Sequence, residues 1–308
     1  MRVWVTGAAG FVGRHVSVDL HAAGHEVIGV DLAAAPAGSE WAGWLVCDFT
    51  NAAAVRDLAQ HHPADACLHL AGIAHVPEGW RRPQRVMDVN LNGTINLLEA
   101  WRVVPNPPRL LVVTSAEVYG RAARTTPIRE TDPMIPSSMY GVSKLAADTV
   151  TRLYHDHYGL PAFTARPQNH IGPGQSNAFV VTAFAEQLVQ LKTRPAADRI
   201  LRVGNLDSAR DLTDVRDVAR AYRLLLERGV PGEAYNVASG HNYVIGDVLE
   251  QLCALAGYTP CIETDPDRYR PTDSSPLLSI DKIRDEVGWT PAIPLAQTLA
   301  DIVAAITG

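Results

Sequence analysis

A chain of 308 residues, 47% of them hydrophobic, can build one large α/β domain or two unequal ones around an ample core. Its net charge of −6, with no basic block, excludes a surface built to hold nucleic acid. No run approaches ~18 apolar residues and no basic region precedes the first strand, so neither a membrane span nor a signal peptide is expected.

Val3 to Thr6 is a short apolar strand that runs into Thr6-Gly7-Ala8-Ala9-Gly10-Phe11-Val12-Gly13, and the following helix carries Phe11, Val12, Val16 and Leu20 on one side. Strand, glycine turn and helix in that order make a phosphate site, because glycines allow close backbone approach and the helix N-terminus faces the anion. A second strand, His25 to Val30, ends in Asp31, placed to bind adenosine ribose hydroxyls and repel a 2′-phosphate. Leu32 to Gly38 contains no Arg or Lys to reverse that preference, so NAD(H) is favoured and NADP(H) is the alternative. The plainer reading of Asp31 is a turn residue at a strand end.

Leu45 to Asp48 reads as a third strand, with Asp48 and Phe49 beside the adenine, and a helix follows over Ala52 to Gln60. Ala66 to Gly72 is a fourth strand, whose end at Leu70, Ala71 and Gly72 lets the backbone lie against a cofactor. Asp88 to Arg102 is a helix apolar on more than one side, as expected of one that packs on the sheet and on a partner subunit. Leu110 to Ser115 is a buried fifth strand closed by Ser115. Tyr140-Gly-Val-Ser-Lys144 then opens an apolar helix, which sets a phenol and an ammonium on one face. In that arrangement the ammonium is expected to lower the phenol's pKa so that it exchanges a proton with an alcohol or ketone. Taken singly, Tyr140 and Lys144 read equally as a solvated pair, and Ser115 as a strand cap.

Ala162 to Arg166 is the sixth strand, and the alternation of strands and helices predicts an α/β fold with a doubly wound parallel sheet of Rossmann type. Residues 1–166 are therefore expected to form the dinucleotide-binding domain, with a return contribution from about 205–240. Residues 167–308, richer in Pro and Gly, form a smaller substrate-binding lobe. That lobe has a loop over Pro167 to Gly174 and helices over Phe179 to Lys192, Asp214 to Arg228, Tyr243 to Ala256 and Leu295 to Ile306. A strand is expected at Ala234 to Ala238. Cys47, Cys67, Cys253 and Cys261 form no CxxC pair and no cluster with histidine; they read as free thiols of a reduced, cytoplasmic protein with no metal site.

With Gly7, Gly10, Gly13, Asp31, Asp48, Ser115, Tyr140 and Lys144 in this order, the chain resembles the extended short-chain dehydrogenase/reductases over essentially its whole length. Thr114-Ser-Ala-Glu-Val-Tyr-Gly120, Arg166-Pro-Gln-Asn-His-Ile-Gly-Pro-Gly-Gln175, Gly204 to Asp211 and Arg268-Tyr-Arg-Pro-Thr-Asp273 are similar to motifs of the branch that works on nucleotide-sugars. Together they most resemble the GDP-4-keto-6-deoxymannose reductases and their dehydratase relatives. The resemblance implies Tyr140 as general acid at the C4 oxygen, Ser115 as hydrogen-bond partner of that oxygen, and Lys144 on the nicotinamide ribose. It places His170 on the cofactor, and Asn169, Val180, Lys192, Arg210 and Arg270 on the nucleotide-sugar, the arginines pairing with its diphosphate. His170 as a plain loop histidine, and Arg268 and Arg270 as solvated charges near Asp265, Asp267 and Asp273, are the alternatives. The resemblance also implies a homodimer through helices 88–102 and 140–157.

Three reactions share this apparatus. A 4,6-dehydratase needs a base, for which Glu117 serves, and an acid beside it, where this chain has Ala116. A C4 epimerase needs Ser115, Tyr140 and a retained NAD. A 4-reductase needs the same groups and releases oxidised cofactor each cycle. The motifs at Asn169 to Gln175 and Gly204 to Asp211 favour the reductase, then the epimerase, then the dehydratase. Gln168, where these relatives often carry an aromatic, departs from the pattern. A non-enzymatic dinucleotide sensor would be expected to lack Tyr140 or Lys144.

Overall fold

The computed structural model describes residues 1–36, 41–120, 126–269 and 275–308. The first half runs β1 (Arg2–Thr6), α1 (Phe11–Ala22), β2 (Glu26–Asp31), β3 (Gly43–Val46), α2 (Ala52–His61) and β4 (Ala66–His69). It continues through α3 (Val76–Arg81), α4 (Pro83–Met87), a π-helical turn (Asp88–Asn92), α5 (Gly93–Arg102), β5 (Arg109–Val113), α6 (Met139–Tyr158) and β6 (Ala162–Pro167). The second half contains β7 (His170–Ile171), α7 (Val180–Leu191), β8 (Ile200–Val203), β9 (Ala209–Asp211), β10 (Thr213–Asp214), α8 (Val215–Arg228) and β11 (Ala234–Val237). It ends with β12 (Asn242–Val244), α9 (Ile245–Ala256), β13 (Cys261–Thr264), α10 (Asp281–Val287) and α11 (Leu295–Thr307).

Seven strands form one parallel sheet in the order β11-β6-β5-β4-β1-β2-β3. Its strands are apolar on both faces because helices cover both. Along β1, Val3 and Val5 point into a core shared with α1 and α8, while Trp4 points the other way into a core shared with α2 and α5. There Trp4 packs on Trp101 of α5, with ring centroids 4.8 Å apart. A third core joins α7, α9, α11 and β8 above the C-terminal edge of the sheet. α8 and β11 return from that region to pack on the sheet and to pair with β6. A cleft lies where the β strands end beneath this upper core.

Three local departures from the sequence reading have physical causes. The third strand ends at Val46, so Asp48 and Phe49 sit in a turn that leads to Asn51, whose Oδ1 caps α2 by accepting from Ala53 N and Ala54 N. The helix expected over 88–102 begins with a π turn, so Asn90 is turned into the protein. The two-stranded pairs β8–β13 and β9–β12 were not expected, nor was β7, which lies inside the loop expected over Pro167 to Gly174 and pairs with β10, and Tyr243 lies in β12 rather than at the start of α9. β8 alternates exposed and buried over only four residues, and β13 is exposed throughout, so neither carries a strong apolar pattern.

Candidate active site

The cleft, about 1570 Å³, runs from the glycine turn after β1 to the start of α7. Gly7 has φ +67°, and a Cβ there would stand 2.9 Å from Ala71 N; a Cβ on Gly13 would stand 2.6 Å from Ala8 O. The turn is therefore drawn tight against the end of β4, with the N-terminus of α1 open to the cleft, a cradle that fits a dinucleotide pyrophosphate. Asp31 braces this cradle: its Oδ2 accepts from Ala9 N at 3.0 Å and its Oδ1 from Ala33 N at 3.0 Å. Phe11, Val12, Leu32, Asp48, Phe49, Leu70 and Gly72 also line the cleft, together with Gly10 and Ala71.

A chain of buried hydrogen bonds links the cradle to the opposite wall. Thr6 Oγ1 accepts from Leu70 N and Ala71 N, at 3.1 and 3.0 Å, and donates to His69 Nδ1 at 2.8 Å. His69 Nε2 donates to Thr94 Oγ1 at 3.2 Å, which donates to Asn90 O at 2.7 Å; this assignment alone gives every hydrogen an acceptor. Burial, with a smaller contribution from the Lys144 charge, lowers the His69 pKa to about 3, so the ring is neutral. Asn90 Oδ1 accepts from Ile73 N at 2.7 Å, and its Nδ2 donates to Ile73 O at 3.1 Å and to Ser143 Oγ at 2.9 Å. Ser143 Oγ in turn donates to Tyr140 O at 2.7 Å. Asn90 and Ser143 were missed in the sequence reading, because only the π turn brings position 90 onto α6.

Ser115, Tyr140 and Lys144 meet at the ends of β5 and α6. Ser138 caps α6 by accepting from Gly141 N at 3.0 Å, and this sets Tyr140 in the first turn. The Tyr140 phenol lies beside the Ser115 side chain, which favours its ionised form. The expectation that Lys144 holds the phenol's pKa low is overturned. Burial pushes Tyr140 up to about 12, the Ser115 side chain opposes this, and the Glu117 charge adds to it. Lys144 donates to Val113 O at 3.0 Å, and burial brings its own pKa down to about 8. Tyr140 is thus fully protonated at neutral pH, the state of a general acid. Glu117 is exposed into the cleft, and its neighbour Ala116 brings no proton.

Behind these residues a buried ion pair ties α6 to β6. Arg166 Nη2 donates to Asp148 Oδ1 at 2.7 Å and Nε to Oδ2 at 2.9 Å, while Nη1 donates to Tyr119 OH and Glu130 O, both at 2.9 Å. Thr114 Oγ1, next to Ser115, donates to Asp148 Oδ2 at 3.0 Å. One guanidinium–carboxylate fork therefore fixes the strand that ends in Ser115 and the helix that carries Tyr140 and Lys144.

On the lobe side, Asn169, His170, Val180 and Arg210 line the cleft, as do Arg268 and Asp267. Asn169 Nδ2 donates to Ser275 Oγ at 3.2 Å. His170 stacks on Phe11, with centroids 6.2 Å apart, and so lays the Pro167–Gln175 loop on the cofactor cradle. Gln168, at the variant position, donates from Nε2 to Pro276 O at 2.8 Å. Lys192 does not line the cleft: it follows α7 at the end remote from Val180, where its carbonyl accepts from Arg199 Nη2 at 3.1 Å. Arg270 lies outside the described residues. No group of three or more His, Cys, Asp or Glu able to hold a metal occurs among the described residues, and no helix there is long and apolar enough to cross a membrane.

Comparison with known proteins agrees with this geometry. The family model described as GDP-mannose 4,6 dehydratase matches residues 4–302. The chain is 37% identical to GDP-6-deoxy-D-mannose reductase of Pseudomonas aeruginosa over 98% of this chain and 96% of that protein. It is 32% identical to dTDP-glucose 4,6-dehydratase of Xanthomonas campestris pv. campestris, over 98% and 92%. Among solved structures, RMD from Pseudomonas aeruginosa complexed with NADPH superimposes with a TM-score of 0.85 at 34% identity, over 99% of this chain and 98% of that one. Thermus thermophilus UDP-glucose 4-epimerase in complex with NAD does so with a TM-score of 0.87 at 31% identity, over 100% and 99%. The chain belongs to the GDP-mannose 4,6-dehydratase family of extended short-chain dehydrogenase/reductases.

Proposed function

We propose that this protein is an NAD(P)H-dependent reductase of a nucleotide-activated 4-keto-6-deoxy sugar of the GDP-4-keto-6-deoxymannose type. The observation that carries the reading is a buried, protonated Tyr140 that lines the cleft with Ser115 and Lys144, with no second acid at Ala116. A reduced nicotinamide held in the cleft would supply a hydride to C4. Tyr140 gives its proton to the C4 oxygen as C4 becomes an alcohol carbon, and solvent later restores that proton. Ser115 hydrogen-bonds the same oxygen and stabilises the charge that develops there. Lys144, whose Nζ donates to Val113 O, would hold the nicotinamide ribose, His170 the cofactor, and Asn169 and Arg210 the diphosphate region of the nucleotide-sugar.

The motifs at Asn169 to Gln175 and Gly204 to Asp211, and the likeness to GDP-6-deoxy-D-mannose reductase, support reduction over epimerisation or dehydration. Epimerisation remains the second reading, supported by the likeness to UDP-glucose 4-epimerase. Asp31, with no basic residue in Leu32–Gly38, supports NADH over NADPH. Consumption of NADH or NADPH absorbance in proportion to added GDP-4-keto-6-deoxymannose tests the reaction; no consumption with either cofactor rejects it.

The same reading includes a cytoplasmic homodimer. Val142 and Leu153 on α6 are exposed, and Ile95 on α5 is half-buried, an apolar surface suited to a second copy. Light scattering at micromolar protein should give twice the chain mass; a monomer mass rejects the dimer.

A further inference from the structure

Gln168 follows β6 in the wall of the cleft, and the steps above leave its side chain without a task. It is only 7% exposed, and its backbone is fixed on both sides. Its N–H donates to Val237 O at 2.9 Å, and its carbonyl accepts from His170 Nδ1 at 3.1 Å. The side-chain amide is held as well: Nε2 donates to Pro276 O at 2.8 Å, and Oε1 accepts from Asn169 Nδ2 at 3.4 Å. Pro276 O can only accept, which fixes the orientation of the amide. Asn169 Nδ2 also donates to Ser275 Oγ at 3.2 Å.

Ser275 and Pro276 belong to no helix or strand, so hydrogen bonds across the cleft wall hold them in place. Ser275 N donates to Ala209 O at 2.9 Å, beside Arg210 in β9, and Ser275 O accepts from Asn242 Nδ2 at 3.0 Å. Pro276 has no N–H, and Gln168 is the one donor to its carbonyl among the described residues. A single amide therefore ties the loop of Asn169 and His170 to the segment bonded to β9, and all of these side chains line the cleft with Arg210. A phenylalanine at this position would fill space but offer neither bond. We infer that Gln168 is a positioning residue for the nucleotide-sugar. It holds Asn169 and the Ser275–Pro276 wall in register with Arg210, so that the diphosphate end of the substrate meets a wall already built. The inference rests on the proposed function, which puts Asn169 and Arg210 at the diphosphate.

The test is Gln168→Met, which keeps the length of the side chain and removes both of its hydrogen bonds. Binding of GDP and of NAD⁺ or NADP⁺ is measured by calorimetry, and KM and kcat with GDP-4-keto-6-deoxymannose by the absorbance of reduced nicotinamide. GDP binding should weaken about three- to ten-fold and KM should rise by a similar factor, with kcat and dinucleotide affinity within about two-fold of the wild type. GDP affinity and KM equal to those of the wild type overturn the inference. So does a loss of dinucleotide affinity as large as the loss for GDP, which would mean a cleft distorted as a whole. A wild type that binds GDP but turns over no keto-sugar defeats the proposed reaction, and the GDP comparison then decides on Gln168 alone. A wild type that binds no GDP defeats the nucleotide-sugar reading and the Gln168 inference together.

Discussion

Removing one partner of the Arg166–Asp148 pair while leaving the other should be far more damaging than removing both. Each side chain is only 5% exposed, and the guanidinium meets the carboxylate through two hydrogen bonds. In Asp148→Ala the buried charge of Arg166 keeps only Tyr119 OH and Glu130 O, both uncharged acceptors. Such an uncompensated charge costs about 3–5 kcal/mol, a large part of the ~5–15 kcal/mol that holds a typical domain folded. In the double variant Asp148→Leu with Arg166→Met no charge is left behind. The remaining losses are the donors to Glu130 O and Tyr119 OH and one of the two acceptors of Thr114, which keeps Ala165 O, about 1–2 kcal/mol in all. Urea unfolding of the wild type, Asp148→Ala, Arg166→Met and the double variant should therefore show the double variant more stable than Asp148→Ala. A double variant whose loss equals the sum of the single losses would refute the argument that the pair acts as one unit.

Tyr140→Phe should lower kcat by about 10²- to 10⁴-fold while dinucleotide affinity stays within a few-fold, checked by steady-state kinetics and calorimetry. A variant as active as the wild type would remove Tyr140 as the acid. Stability should fall as the solution is acidified below the ordinary histidine range. The folded His69 pKa, lowered to about 3, lies below its unfolded value of 6.5, so the unfolded chain takes up the proton first. The contribution of His69 is then whole above pH ~6.5 and declines by about 1.4 kcal/mol per pH unit below it. Burial lowers His15 and His170 in the same direction and adds to the slope. Denaturant unfolding at a series of pH values checks this, and a flat profile between pH 7 and 5 would contradict it.

What could be read from the sequence divides along physical lines. The central strands are continuous apolar runs bounded by turns, and a parallel sheet covered on both faces demands that pattern; their order along the chain was enough for the fold. The glycine cradle, Asp31, Ser115 and the Tyr140–Lys144 spacing could be read because each depends on local geometry: a turn, a strand end, one helical face. The Tyr140 pKa could not, since its sign is decided by burial, and burial is set by packing of α6 on other elements, α3, β5 and β6. Asn90 was hidden by a π turn, which has no periodicity of its own. Lys192 shows the reverse: a cation that the resemblance places on the nucleotide-sugar stands at the far end of α7, away from the cleft. The short ribbons β8–β13 and β9–β12 have too few residues to display a period.

The most direct test of the central claim follows the hydride itself. Reduced nicotinamide dinucleotide deuterated at its transferable position would be supplied with GDP-4-keto-6-deoxymannose, and the sugar product examined by NMR. The account predicts one deuterium at C4 for each cofactor oxidised, with the label lost from the nucleotide. Deuterium at C6, or an unlabelled sugar interconverted with no net oxidation of cofactor, would contradict it.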